Sequence, residues 1–139
     1  MTDITDAKSW TVSSRLGAGS SLAMEADQGS VLLEGEVSPV EQLLAAIGAC
    51  FAKSCSGVMQ YHGLPSAHIE VSVLGHKPAG KLMDKGLDRI EISVQIAQDM
   101  SDDKLQMVLR DTKRVCTVTN SLSKEIDLLV SGSAGVVPS

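Results

Sequence analysis

The stretch from Ser38 to Tyr61 constrains the fold more than any other part of the chain. Ser38, Pro39 and Glu41 form a capping box, with Ser38 as the N-cap, Pro39 at the first helical position and Glu41 reaching back to the backbone. Apolar residues then follow helical spacing. They are Leu43, Leu44, Ile47, Cys50, Phe51 and Val58. A glycine and a proline follow Tyr61, so the pattern predicts a helix over 38–61.

A helix of about 23 residues, or roughly 35 Å, needs more apolar cover than one small sheet can supply. We therefore predict a homodimer in which this helix is buried between two chains. The longest uninterrupted apolar run, from Leu43 to Ala52, is too short to cross a bilayer, so no membrane partner is expected.

The remaining patterns predict an α+β fold in the order β-β-(β)-α-β-β-α-β, as a single domain over residues 1–139. Residues 10–22 contain short apolar runs around a Gly-Ala-Gly break, which indicates a hairpin, and a short strand over 30–33 precedes a Glu-Gly-Glu turn. Alternation predicts strands around 69–73 and 90–96, with a polar turn region at 75–86 between them. Ser101 caps a second helix, a short turn or helix follows Cys116, and a last strand is predicted over 125–130. The apolar stripe of the second helix is Leu105, Val108, Leu109 and Thr112.

Charge and composition exclude several classes of partner. The formal net charge of −5 provides no basic surface for nucleic acid. Trp10, Phe51 and Tyr61 are the chain's aromatic residues, too few to build a platform on which bases stack. An acidic, polar N-terminus and an odd number of cysteines argue against a secreted disulfide framework, so the cytoplasm is the expected compartment.

Cys50 lies within the apolar stripe of the first helix and allows two interpretations. Free cysteine is among the most buried residue types, so Cys50 could be one more small hydrophobic residue. It lies about three turns into the helix, beyond the reach of the helix dipole. A reactive Cys50 would therefore need a cation brought by tertiary structure.

Cys116 follows Lys113 and Arg114 and precedes residues typical of a new helical turn. A basic neighbourhood and a helix start both lower the pKa of a thiol, so local chemistry favours Cys116 over Cys50 as the thiolate. A structural residue of the capping region is the open alternative. Cys55 lies about 8–9 Å from Cys50 along the helix, too far for a disulfide, and is predicted to be a packing residue.

No metal or cofactor site is expected from the sequence. His62, His68 and His76 lack the spacing of metal ligands and are interpreted as surface or turn residues. The chain contains no glycine-rich phosphate loop and no nucleophile-elbow or zinc-protease motif.

Two segments resemble the OsmC/Ohr family, the osmotically inducible and organic hydroperoxide resistance proteins. The first is the segment Ser38–Phe51 of the predicted first helix, which ends in Ala-Cys-Phe with Cys50 in the middle. The second is Val115–Asn120, with Cys116 followed by Thr117 where the family usually has proline. The segment Ser14-Arg15-Leu16-Gly17 is similar to the arginine loop of the family, and the predicted order of elements agrees with an OsmC/Ohr-like fold. The resemblance is closest to the broader OsmC-like branch.

The resemblance implies a thiol-dependent peroxidase that works as an intertwined homodimer with sheets around central helices. Cys50 would attack an organic hydroperoxide and become a sulfenic acid, and Cys116 would resolve it as a disulfide. Arg15 would lower the pKa of Cys50 and stabilise the leaving alkoxide, supported by Glu41. A dithiol reductant would regenerate the pair, without metal or flavin.

Two other functions are weighed against the peroxidase. One is a non-catalytic dimeric module that binds an apolar small molecule or an acyl chain, and the other is a thiol redox sensor. A pure binding module would not need Cys50, Cys116 and Arg15 together, so their coexistence favours the peroxidase.

Overall fold

A computed structural model describes residues 8, 10–16, 22–26, 29–33, 37–65, 67–79 and 86–135. The elements are strands β1 (Val12–Leu16), β2 (Leu22–Ala26) and β3 (Gly29–Leu33), helix α1 (Pro39–Tyr61), strands β4 (Ile69–His76) and β5 (Arg89–Ile96), helices α2 (Asp102–Val115) and α3 (Thr117–Asn120), and strand β6 (Asp127–Ala134). This order confirms the predicted α+β class. The chain forms two compact units, residues 1–39 and 40–139, while the prediction of a single domain over 1–139 stays a prediction.

The first unit is a three-stranded antiparallel sheet in the order β1-β2-β3. Pairing of Leu16 with Leu22 closes the predicted hairpin between β1 and β2. The Gly-Ala-Gly break and the turn at 34–36 lie outside the described residues. Arg15 lies on β1, and its guanidinium is 2.8 Å from the carboxylate of Glu25 on β2. The two residues are diagonal neighbours on one face, because Arg15 pairs with Ala23.

The second unit is built on the sheet β4-β5-β6, in which β4 and β5 are antiparallel and β5 and β6 are parallel. A parallel pair needs a long crossover, which α2 and α3 supply here. The alternation predicted for β4 and β5 is confirmed: the apolar residues of β5 are buried, and Ile69, Val71 and Val73 on the inner face of β4 are half-buried. The buried residues of β5 are Ile90, Ile92, Val94 and Ile96.

Both long helices pack on the apolar face of this sheet. Gly48 of α1 lies against Val73 of β4, and Leu109 of α2 lies against Gly132 of β6. A Cβ atom at Gly132 would stand 2.9 Å from Leu109 and 3.1 Å from a backbone oxygen of β5, so glycine is what lets α2 approach the sheet. The predicted stripe of α2 is buried in full, and Ser101 caps its first turn through the N–H of Lys104.

Helix α1 begins at Pro39 and ends at Tyr61, as its sequence pattern predicts. Its end is a Schellman motif: Leu64 N–H donates to Met59 O and Gly63 N–H donates to Gln60 O. Gly63 adopts a φ of 71°, which residues with a Cβ seldom tolerate. By length and composition α1 could cross a membrane, a property that core helices of soluble proteins share. One face of α1 lies in the core of its unit, against β4.

Strands β4 and β6 differ in their bounds from the sequence prediction. Strand β6 begins at Asp127 and extends to Ala134, four residues beyond the predicted end, because Ser131–Ala134 continue the parallel pairing with β5. Strand β4 includes Gly75 and His76, which pair with Ile90 and Arg89 and which the sequence assigned to a turn. Pairing with a neighbouring strand overrides the weak local preference in both places.

Candidate active site

A cysteine of α1 and a cysteine at the α2–α3 junction meet in the second unit. Cys50 is half-buried on α1, and Cys116 is buried in the single residue between α2 and α3. The thiol of Cys116 donates to the sulfur of Cys50 across 3.3 Å. Because a disulfide bond is about 2.05 Å long, a small movement would join the two sulfurs. We call this pair the dithiol.

The backbone at Cys116 explains how a helix end presents a thiol. Cys116 has φ −71° and ψ 110°, so the chain leaves the helical conformation for one residue between α2 and α3. Its N–H still donates to Thr112 O, and its side chain makes no capping bond to α3. The side chain is therefore available to the opposing helix, where Cys50 lies.

The surroundings of Cys50 lower its pKa below the ordinary value of a thiol. Burial is the largest single influence and raises the pKa. Hydrogen bonds from the backbone of Val118, the thiol of Cys116, the hydroxyl of Ser54 and the backbone of Thr117 together outweigh burial. All four donors are uncharged. No charged residue is therefore among the causes of this shift, and the expectation that a reactive Cys50 requires a cation stays a prediction.

The same donors act on Cys50, the thiol that local chemistry did not favour. The sequence places a helix start beside Cys116, and the structure directs the first N–H groups of that helix to Cys50 instead. Sequence reasoning missed this assignment because it depends on how α1 lies against the α2–α3 junction. It also missed Ser54, although a spacing of four residues from Cys50 places both on one face of α1.

Cys55 occupies the opposite setting on the same helix. Its side chain has no exposed surface, and burial raises its pKa more than a hydrogen bond from Thr112 lowers it. A thiol held neutral in a core is a poor nucleophile. These facts agree with the interpretation of Cys55 as a packing residue.

A cavity of about 460 Å³ lies beside the dithiol, between the second half of α1 and the end of α2. Ser54, which bonds to Cys50, is part of its wall, and much of the remaining wall is apolar. The other lining residues are Gly57, Val58, Tyr61, His62, Asp111, Arg114 and Val115. The space is adequate for a small organic molecule, and Ser54 connects its wall to Cys50.

One wall of this cavity carries a His–Asp pair that the sequence did not reveal. His62 Nε2 lies 3.0 Å from Asp111 Oδ2, and this hydrogen bond is the main reason that the pKa of Asp111 is lowered. His62 thus links the end of α1 to α2, whereas the sequence suggested only a surface or turn residue. A second such pair joins His76 to Asp88 at 2.7 Å. Among the described residues, no group of His, Cys, Asp and Glu could hold a metal ion.

Arg15 and Glu41 lie in elements already described. Arg15 is exposed on β1, where Glu25 is its partner. Glu41 is exposed in the first turn of α1, as the capping pattern requires. Their assignment to the site stays a prediction.

Comparison with known proteins gives the same family and fold as the two cysteine segments. A family model described as "OsmC-like protein" matches residues 32–131. No match is found among curated proteins. The structure is similar to an OsmC-like protein from Mycoplasma pneumoniae, with a TM-score of 0.82, 17% identity and coverage of 92% of this chain and 98% of that one.

Two similar structures are organic hydroperoxide resistance proteins. The one from Legionella pneumophila has a TM-score of 0.71 and 16% identity, covering 91% of this chain and 97% of that one. The one from Bacillus subtilis has a TM-score of 0.63 and 16% identity, covering 91% of this chain and 98% of that one. At these identities the likeness establishes the fold.

Proposed function

The chain belongs to the OsmC-like protein family, and on that premise we propose that it is a thiol-dependent peroxidase that reduces organic hydroperoxides in the cytoplasm. The contact of 3.3 Å between the sulfurs of Cys50 and Cys116 is the main support for this proposal. The lowered pKa of Cys50 adds to it, because the thiolate is the nucleophilic form of cysteine. Two structurally similar proteins are hydroperoxide resistance proteins, which agrees with this chemistry.

The proposed reaction has three steps. The thiolate of Cys50 attacks the terminal oxygen of the hydroperoxide, so that an S–O bond forms and the O–O bond breaks. The alkoxide takes a proton from water and leaves as an alcohol, and Cys50 becomes a sulfenic acid. The thiol of Cys116 then attacks the sulfur of Cys50, its proton and the sulfenic hydroxyl leave as water, and a disulfide forms. A dithiol reductant returns both thiols by exchange and is itself oxidised to a disulfide.

The cavity beside the dithiol favours an organic hydroperoxide over hydrogen peroxide. Its volume of about 460 Å³ and its contacts with Val58 and Val115 suit an alkyl or aryl group. Hydrogen peroxide would leave that surface unused. Binding energy from the organic group can position the O–O bond at Cys50.

We assign Arg15 and Glu41 supporting roles on the basis of the family resemblance. Arg15 stabilises the alkoxide that leaves in the first step, and Glu41 orients Arg15. The ion pair with Glu25 engages one terminal nitrogen of the guanidinium at 2.8 Å. A guanidinium has five N–H donors, so this pairing leaves donors for a second partner.

We also propose that two chains form a homodimer through the face of α1 that carries Cys50. Leu43 and Tyr61 lie on this face and are 40% and 86% exposed. Val115, beside the dithiol, is 55% exposed. A second copy would cover this apolar surface.

Sedimentation velocity tests the dimer. The unaltered protein should be a dimer at micromolar concentration, and Leu43→Lys should weaken the association. A stable monomer of the unaltered protein would contradict the dimer.

Hydroperoxide consumption by the purified protein tests the proposed function. Cumene hydroperoxide and tert-butyl hydroperoxide should be consumed in the presence of dithiothreitol, and hydrogen peroxide should be consumed more slowly at equal concentration. Glutathione, a monothiol, should support less turnover than dithiothreitol. Absence of catalysed consumption of every organic hydroperoxide would overturn the peroxidase.

The cavity also favours one alternative, a non-catalytic module that binds an apolar small molecule. In that case Cys50→Ser should retain binding of an apolar fluorescent probe. Neither this variant nor the unaltered protein should consume hydroperoxide. The peroxidase predicts instead that cumene hydroperoxide is consumed and that the probe inhibits its consumption.

A further inference from the structure

The side chain of Asn120 connects the two helices that meet at Cys116. Its Nδ2 lies 3.0 Å from Arg114 O and 3.3 Å from Lys113 O, both in the last turn of α2. The same nitrogen lies 2.8 Å from Cys116 O. One amide group is thus shared among three backbone carbonyls, two in α2 and one at the junction residue.

The last carbonyls of α2 need such a donor because the helix cannot supply one. The final four carbonyls of any α-helix lack a partner within the helix. Here Cys116 N–H donates to Thr112 O, and Asn120 serves the next two carbonyls along the chain. A helix of four residues, such as α3, has little stability of its own. The bonds of Asn120 therefore help to define the angle at which α3 leaves α2.

That angle determines what reaches Cys50. The Cys116 thiol and the backbone of Thr117 and Val118 all contact the Cys50 sulfur from this junction. Two of these groups are backbone N–H groups, which no side-chain rotamer can aim. Their direction follows from the backbone between α2 and α3.

We propose that Asn120 is a positioning residue for the dithiol, which holds the α2–α3 junction in the shape that directs the Cys116 thiol and two backbone N–H groups at Cys50. The inference rests on the proposed use of Cys50 and Cys116 as a nucleophile and its resolving partner. A role confined to capping α2 would lower stability without altering Cys50.

Two substitutions and one control separate these roles. Asn120→Ala removes all three bonds. Asn120→Ser retains a hydroxyl that can bond to the carbonyl four residues earlier, Cys116 O, and is too short for the two carbonyls of α2. Ser121→Ala is the matched control, because the Ser121 hydroxyl donates to Thr117 O at 2.8 Å within α3 and has no bond to α2. Thermal unfolding establishes that each variant is folded.

The first measurement is the pH dependence of Cys50 alkylation by iodoacetamide, followed by peptide mass spectrometry. Asn120→Ala and Asn120→Ser should raise the pKa of Cys50 by about half a unit to one unit, a three- to tenfold loss of thiolate below the pKa. Ser121→Ala should match the unaltered protein. An unchanged Cys50 pKa in folded Asn120→Ala would overturn the proposal. If Asn120→Ser had the Cys50 pKa of the unaltered protein, the bond to Cys116 O would account for the effect, and the role of Asn120 in joining α3 to α2 would be wrong.

The second measurement is the rate of disulfide formation with diamide, which accepts two electrons and two protons as the dithiol is oxidised. Both Asn120 variants should be slower by about tenfold, since a misplacement near 1 Å can cost on the order of 100-fold in a reacting pair. Ser121→Ala should remain within about twofold of the unaltered protein. Equal rates in all four proteins would contradict the positioning role.

These readouts do not depend on peroxide turnover. If no hydroperoxide is consumed while both Asn120 variants still raise the Cys50 pKa and slow diamide oxidation, the peroxidase fails and the positioning role stands. If hydroperoxide is consumed and the Asn120 variants resemble Ser121→Ala in both measurements, the positioning role fails and the peroxidase stands.

Discussion

Two faces of helix α1 give its cysteines opposite chemistry. Cys50 is half-buried against the α2–α3 junction, and hydrogen bonds from four uncharged donors lower its pKa despite burial. Cys55 follows five residues later along the helix. It lies in the core, and burial raises its pKa. The helix itself contributes little to either shift, because both residues lie far from its first turn. The packing partner of each face decides the direction in which the pKa of its thiol is shifted.

Removal of each sulfur in turn tests whether the two faces of α1 differ in function. Cys50→Ser should lower kcat/KM for cumene hydroperoxide by at least about 1,000-fold, as loss of a nucleophile does in other covalent enzymes. Cys55→Ser should retain activity within about twofold, with a stability cost of about 1 kcal/mol for a buried hydroxyl. Steady-state kinetics and thermal unfolding measure the two effects. If both variants lost activity equally, the two faces would not differ in function.

The next test concerns the partner that distinguishes the Cys50 face, namely Cys116. Cys116→Ser should still react once with hydroperoxide, because a serine hydroxyl can donate to Cys50 in place of the thiol. A sulfenic acid should then accumulate at Cys50, and dimedone labelling with mass spectrometry should trap it. No intramolecular disulfide can form in this variant. Disulfide formation between Cys50 and Cys55 instead would contradict the assignment of Cys55 to packing.

Glu41→Gln tests whether the activity of Cys50 depends on the charge of Glu41. We expect kcat/KM for cumene hydroperoxide to fall by about tenfold, because the proposed mechanism uses the Glu41 carboxylate to orient Arg15. Thermal stability should change little, since glutamine also completes a capping box. Glu25→Gln is the control, because the Glu25 carboxylate lies 2.8 Å from the Arg15 guanidinium. Full activity of a folded Glu41→Gln variant would leave Glu41 a helix cap only.

The smallest expected effect is a shift in the pH profile of thiol alkylation. As pH rises, Cys50 should react below the pH at which an ordinary thiol reacts, and Cys55 should react above it. The sign for stability follows: the lowered pKa of Cys50 favours the folded state above the pKa of the unfolded thiol, and this contribution is lost as pH falls through the folded pKa. Cys55 contributes below its unfolded pKa and loses the contribution as pH rises.

Thr117→Pro refines the same measurement by deleting one donor. Proline has no N–H, its ring suits the first position of a helix, and the extended conformation of Cys116 suits a residue before proline. The Cys50 pKa should rise by about half a unit or less, because Val118 and Ser54 still donate. Alkylation of Cys50 at a lower pH in this variant than in the unaltered protein would contradict the role of the junction.

Much of the fold could be predicted from local pattern alone. The capping box and the glycine after Tyr61 gave both ends of α1, and the cap at Ser101 gave the start of α2. Alternation gave β4 and β5, because the two faces of those strands meet different environments. The end of β6 could not be predicted this way. The segment Ser-Gly-Ser-Ala has weak strand preference, and only its pairing with β5 extends the strand.

The candidate site divides along the same line. Residue identity and family resemblance were enough to name Cys50 and Cys116, since these are properties of the chain itself. The donors that lower the Cys50 pKa were not predictable. They include backbone N–H groups, which every residue except proline carries, so no sequence pattern marks them. Only the packing of α1 against the α2–α3 junction decides which thiol receives those N–H groups, because a hydrogen bond depends on distance and direction between segments far apart in the chain.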